Sequence, residues 1–297
     1  MIFPKNLTAL ALATPLSRAP TGVPRHPGWN LTWSDDFTGA AGSLPDSSNW
    51  IIDVGTGYPG GPASWGTQEI QHYTNSPENL SLDGKGVLNI TALRKGDRWT
   101  SARIETRRSD FSCKPGGMLR IEASLSLPEV ANGVGYWPAF WTLGSPYRGN
   151  YWNWPSIGEF DIMENVNSVN RIWSTMHCGT NPGGPCRETE GVSTFKDADP
   201  GEPPFHGSFH SFAFEIDRTE PVEVARWLID DVEHRHILSS EMPADVWAQT
   251  AHSDVFILLN LAMGGVFPDG HSQGKTPLET TDSGGVYQID YVAVYNK

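Results

Sequence analysis

Residues 158–165, GEFDIMEN, restrict the fold more than any other stretch of the chain. They set Glu159, Asp161 and Glu164 among Ile157, Phe160, Ile162 and Met163, an apolar run with the character of a strand. Side chains alternate faces in a regular strand, so Glu159 and Asp161 share one face, and Glu164, an odd number of positions away, points to the other. A single-residue bulge near Ile162 or Met163 restores the phase and gathers all three carboxylates on one surface. Like charges that close raise at least one pKa and leave a proton donor beside a carboxylate near neutral pH. Taken alone, the spacing also suits a solvated acidic edge strand or a calcium loop. In catalysis it suits the acid and nucleophile of a retaining glycosidase, whose carboxyl groups stand roughly 5 to 5.5 Å apart.

The flanks decide between these readings. The segment YWNWPSIGEFDIMEN, preceded by GYWPAFWTLG and followed by STMHCGT, resembles the active-site region of glycoside hydrolase family 16. The likeness continues through TWSDDFTG, WGTQEIQHYT, VLNITAL, LLNLAMGG and IDYVAVYN in family order, from about Trp29 to the C-terminus. It implies an all-β jelly-roll sandwich of two antiparallel sheets with a concave substrate groove. Glu159 is then the nucleophile, Glu164 the general acid/base, and Asp161 the residue that steers the nucleophile. Trp154 is expected to stack near the cleaved sugar, with Trp137, Trp141 and His177 lining the groove. The residue inserted before Glu164 is similar to the laminarinase-like branch, which cleaves β-1,3-glucan; lichenase-like and xyloglucan-transferring members have the shorter form. Two departures bear on sugar identity: Gln68 stands where asparagine is common, and GGVFPDG where a tryptophan often follows the paired glycines. The family often carries a calcium ion away from catalysis, which here points to Asp36, Gly86 and Asp290, an all-oxygen set. No cofactor is expected for the chemistry itself.

The residues themselves support a carbohydrate groove. Trp137, Ala139 and Trp141 lie on one strand face, the small alanine leaving room between two flat indoles suited to sugar rings. Asn153 and Pro155 suggest a rigid turn holding Trp154. His177 follows the acidic run closely enough to hydrogen-bond the acid or a sugar hydroxyl. The irregular residues 38–68 end in Trp65 and Gln68, types that suit a sugar-binding rim. Strand-like runs bounded by turn-formers recur to the C-terminus, helped by 31 glycines and 23 prolines. Only residues 239–248 read as helical, and Pro243 interrupts them. His210 alternates with Phe212, Phe214 and Ile216 and reads as a structural histidine. In the last strand Ile289, Tyr291, Ala293 and Tyr295 are expected on one face, with Asp290, Val292 and Val294 on the other, so Asp290 wants a cation or donors.

Residues 29–297 read as a single catalytic domain after a signal-like or Pro-rich segment, residues 1–28, which suggests secretion. The net charge of −13 argues against nucleic acid as a partner, and no run is apolar enough to span a membrane. A polysaccharide substrate and a monomer are expected. Of three cysteines, Cys178 and Cys186 bracket a Gly/Pro-rich loop and are expected to form a disulfide, leaving Cys113 as a buried thiol. Sequons begin at Asn6, Asn30, Asn79 and Asn89, the last the poorest acceptor if its side chain faces inward. The leading reading is a secreted endo-acting hydrolase of β-1,3-linked glucan. Alternatives are a mixed-linkage glucanase, an endo-β-1,3-galactanase, a transglycosylase or, in another class, a non-catalytic glucan-binding protein, against which the intact acidic trio argues.

Overall fold

Seventeen strands carry most of the regular structure in residues 22–297, which the computed structural model describes. In chain order they begin β1 (Asn30–Asp35), β2 (Trp50–Asp53), β3 (His72–Tyr73), β4 (Leu80–Leu82), β5 (Leu88–Lys95), β6 (Arg98–Ser101), β7 (Arg103–Thr106) and β8 (Met118–Ser126). Next come β9 (Tyr136–Gly144), β10 (Glu159–Glu164), β11 (Arg171–His177), β12 (Val192–Asp197) and β13 (Phe209–Asp217). The last are β14 (Val224–Ile229), β15 (Val232–Leu238), β16 (Val255–Met263) and β17 (Gly285–Asn296). One sheet runs β15-β14-β13-β8-β17-β5-β6-β3, with β1 beside β17 and β4 beside β5; the other runs β12-β11-β10-β9-β16-β7-β2. The two stack as a jelly-roll sandwich, antiparallel apart from the parallel contact of β3 with β6.

Alternation along the central strands builds the core. From the larger sheet Ile121, Leu125, Phe212, Phe214, Val292 and Val294 point inward; from the smaller sheet Phe140, Phe160, Ile257, Leu259 and Leu261 meet them. Phe160 lies 4.3 Å, ring to ring, from Phe214, a contact that ties the acidic strand β10 to the opposite sheet. The other face of the smaller sheet is left to carry the site.

Several expectations are refined. The segment 38–68 is not wholly irregular, because it contains β2, the edge partner of β7. The helical segment is real but shifted: Pro243 precedes α1 (Ala244–Ala251) instead of breaking it, as its fixed φ suits a helix start. A second short helix, α2 (Val266–Gly270), occupies the GGVFPDG segment. The face assignment of the last strand is corrected. The β17 register shifts between Ile289 and Tyr291, so Ile289 joins Val292 and Val294 in the core, while Tyr291, Ala293 and Tyr295 face outward. Val23 and Trp29 cover those residues, and Tyr295 donates to the Pro24 carbonyl at 2.8 Å, so packing begins ahead of Trp29. The signal-like residues up to 21 and the Asn6 sequon lie outside the described residues.

Cys178 and Cys186 form the expected disulfide, with α-carbons 5.4 Å apart. Cys113 is a buried thiol whose pKa burial pushes up to about 11. His210 is structural, held between Asp230 at 2.6 Å and the Pro204 carbonyl at 3.1 Å. The sequon order is also corrected: Asn79, not Asn89, is the poorest acceptor, because its buried amide donates to the Thr91 carbonyl and to Thr100. Among the described residues no helix is long and apolar enough to cross a membrane.

Candidate active site

The bulge lies where strand parity demands it. Against β9 the register of β10 shifts between Asp161 and Met163, and against β11 between Asp161 and Glu164. Ile162 and Met163 both enter the core as a result, and Glu164 returns to the face of Asp161. The interrupted ladder is mended from both sides: the Trp227 indole of β14 donates to the Asp161 carbonyl at 2.9 Å, and the Ser174 hydroxyl of β11 to the Ile162 carbonyl at 3.1 Å.

Cross-strand pairing then sets the neighbours. Glu164 pairs with Ala139, Ala139 with Asn260, and Asn260 with Arg103, which makes one row across β10, β9, β16 and β7. In the next row Asp161 pairs with Trp141, which pairs with Leu258. The methyl group of Ala139 leaves a gap between Trp137 and Trp141, and a cavity of about 70 Å³ opens there with Glu159, Asp161 and Glu164 on one wall. Arg103, Glu69, Trp65 and Asn260 form the opposite side.

Each outer carboxylate is held by an indole. Trp154 donates its Nε1–H to Glu159 Oε2 at 2.8 Å, and Trp137 donates to Glu164 Oε1 at 2.8 Å. Trp141 donates to Asn260 Oδ1 at 2.7 Å, with the Arg103 guanidinium 4.9 Å from the ring centre. His177 places Nε2 3.3 Å from Asp161 Oδ2 and 4.0 Å from Glu159 Oε1. Its Nδ1 is 2.7 Å from Glu188 Oε2.

Burial, and after it the neighbouring Asp161, push Glu164 up to about 8, against the pull of the Trp137 indole and His177. The same two causes raise Glu159 well above the ordinary carboxylate range, opposed by His177 and the Trp154 indole. Burial disfavours the charged form of His177, but Asp161, Glu188 and Glu159 together outweigh it and raise its pKa well above the usual histidine range. The buried acidic strand therefore retains a proton near neutral pH, the requirement for acid-assisted displacement.

The structure gathers Glu159, Asp161, Glu164, Trp137 and Trp141 around one cavity, and it brings Trp154 and His177 against Glu159. Gln68 does not join them: it is exposed, and its neighbours Thr67 and Glu69 line the cavity instead. Arg103 escaped the sequence reading, although its place in the strand-like run ARIET was a signal, as was the lone Asn260 in LLNLAMGG. Arg103 is buried and paired with Asp53 at 3.0 Å; Glu69 accepts from Thr67 and Tyr73, each at 2.8 Å.

The residues expected to hold calcium lie along the larger sheet. Asp35 pairs with Val292 and Leu88 with Ile289, which brings Asp36 and Gly86 to the bulge at Asp290. A Cβ on Gly86 would lie 3.5 Å from the Asp36 carbonyl oxygen, and Asp290 is buried. Backbone oxygens beside a buried carboxylate fit a hard cation.

Residues 94–198 match the family model described as XgeA-like, catalytic GH16 domain. An endo-1,3-beta-glucanase from Streptomyces sioyaensis is 45% identical, with a TM-score of 0.89 over 93% of this chain and 99% of that one. The Beta-glucanase of Rhodothermus marinus is 34% identical over 91% of this chain and 86% of its own. The Clotting factor G alpha subunit of Tachypleus tridentatus is 31% identical over 91% of this chain, which spans only 34% of that longer protein. The bulged acidic strand and this likeness along nearly the whole described sandwich lead to one conclusion: the chain belongs to glycoside hydrolase family 16, in its laminarinase-like branch.

Proposed function

We propose that the protein is a secreted, endo-acting hydrolase of β-1,3-linked glucan that works by double displacement with retention of configuration. One observation carries the reading: the β10 bulge sets Glu164, pushed up to about 8, on the same surface as Glu159 and Asp161. Glu159 attacks the anomeric carbon while Glu164 gives its proton to the glycosidic oxygen, which leaves with the departing chain. Glu164, now a base, takes a proton from water as that water attacks the anomeric carbon and releases Glu159. Asp161, between the two, steadies the charge as it moves. Adjacent carboxylates on one bulged strand leave little room for the water an inverting enzyme places between acid and base.

The names of the endo-1,3-beta-glucanase and Beta-glucanase relatives support the substrate class. A Keratan-sulfate endo-1,4-beta-galactosidase at 26% identity shows that galactose-containing chains also occur among the substrates of similar proteins. The Cys178–Cys186 disulfide supports an oxidising, extracellular destination. Asp36, Gly86 and Asp290 would hold a structural calcium ion remote from the carboxylates; chelation should lower the melting temperature, and added calcium should restore it.

A screen on laminarin, curdlan, barley glucan and arabinogalactan tests the substrate, with fastest release expected from the first two. Fastest release from arabinogalactan would overturn the assignment. Glu159→Gln and Glu164→Gln should each remove most turnover at pH 6, with melting temperatures no lower than that of the wild type. Proton NMR of the first product should show the β-anomer; the α-anomer would exclude retention.

A further inference from the structure

Beyond the carboxylates and indoles, one buried acid reaches the site through a single side chain. Glu188 follows the loop closed by the Cys178–Cys186 disulfide, and its carboxylate is fully enclosed. One oxygen accepts from the Cys178 backbone N–H at 2.8 Å, and the other meets His177 Nδ1 at 2.7 Å. Backbone bonds in both directions between Gly183 and Glu188, each 2.6 Å, fasten the loop to itself. At the same edge of the ring, Gly191 adopts a φ of +72°, and a Cβ there would fall 2.9 Å from both Cε1 and Nδ1 of His177, so bare backbone is packed against the imidazole.

We propose that Glu188 is a positioning residue: it fixes His177 so that a Nε2–H faces Asp161 and Glu159, and thereby shapes the charge of the catalytic pair. The inference rests on the hydrolase reading above. A neutral imidazole carries one N–H, so if Nδ1 donates to Glu188, a bare Nε2 lone pair confronts two carboxyl groups. Only the doubly protonated ring donates on both sides. The groups facing it are Glu159, Asp161 and the more distant Glu164 from β10, and Glu188 from the loop; the Trp154 ring lies 5.4 Å away, centre to centre. Asp161 Oδ2 is buried and makes no well-directed hydrogen bond, so the nearby imidazolium 3.3 Å away is its electrostatic complement. Such a cation favours the ionised form of Glu159, which attack on the anomeric carbon requires. In this arrangement Glu188 supplies no atom to the reaction; it acts through His177.

Glu188→Gln keeps the shape and removes the charge. The ring nitrogens of His177, assigned by comparison with His177→Asn, are followed by NMR against pH without substrate. In the wild type both should be protonated at pH 7, and in Glu188→Gln the titration midpoint should fall by about one unit or more. On laminarin kcat should drop about tenfold, the factor equivalent to about one pKa unit of lost interaction, with KM changed less than about twofold. The exposed neighbour variant Glu190→Gln should leave both readouts unchanged. A neutral wild-type ring at pH 7, or an unchanged His177 titration and kcat in Glu188→Gln, overturns the proposal. Should Glu188→Gln fail to fold, the wild-type spectrum still decides. If no glucan is cleaved by the wild type, the hydrolase reading fails while the NMR measurement independently judges the role of Glu188.

Discussion

Glu164 keeps its proton because burial and Asp161 both disfavour its charged form, while the Trp137 indole works in the opposite direction. Trp137→Phe removes that N–H, so the alkaline limb of kcat/KM should move to higher pH, by about half a unit to one unit, and kcat should fall as the acid weakens. A limb that moves to lower pH would contradict the assignment. The same raised pKa has a consequence for stability. Its folded value of about 8 lies above the unfolded 4.5, so the favourable contribution is complete below about 4.5 and is lost as pH rises through about 8. Glutamine never ionises. Melts should therefore show Glu164→Gln more stable than wild type at pH 9, by on the order of 5 kcal/mol, with the gap closing toward pH 4. At this scale the sequence reveals the acids, since three carboxylates in an apolar strand have no packing explanation. It conceals Arg103, because a charged residue in a strand reads as solvated until its partner Asp53, fifty positions away, is placed beside it.

Two bulges show what strand parity reveals and what it hides. In β10 the carboxylates themselves define the face, and an odd offset exposes the extra residue. In β17 apolar residues stand on both faces, so the shift between Ile289 and Tyr291 changes no visible pattern, and Ile289 is read onto the wrong side. Edge strands are hidden for a related reason: β12 alternates half-buried with exposed residues and lacks the apolar face that announces β16. At the β10 bulge the Trp227 indole donates to the Asp161 carbonyl. Trp227→Phe keeps a ring against Phe160 and Phe214 but orphans that carbonyl, at an expense of about 1–3 kcal/mol. Denaturant melts should show this loss together with reduced kcat, since Asp161 is released along with its backbone. A stability loss with kcat untouched would mean that the bulge holds its shape without Trp227.

On the scale of the molecule, the cavity lies on a face that crosses β7, β16, β9, β10 and β11. Four inter-strand spacings of about 4.8 Å give about 19 Å, room for several sugar units. Arg103 and Trp65 stand toward one end, while Trp173, packed against Phe267 of α2, stands toward the other, with the carboxylates between them. A site with contacts on both sides of the reacting bond accepts the interior of a chain, whereas a pocket closed at one end accepts only termini. Early products from a long β-1,3-glucan should thus be mixed oligosaccharides, with polymer length falling quickly. Trp141 lies within this face, its indole tied to Asn260 and its ring beside Arg103, so Trp141→Ala removes a platform and loosens two neighbours. KM for the polymer should rise several-fold, by the ~1 kcal/mol or more that a stacked aromatic contributes, while the melting temperature falls little, because the side chain is only half-buried and sits outside the inter-sheet core. Glucose as the sole early product, with polymer length nearly constant, would replace the open face with an exo-acting pocket.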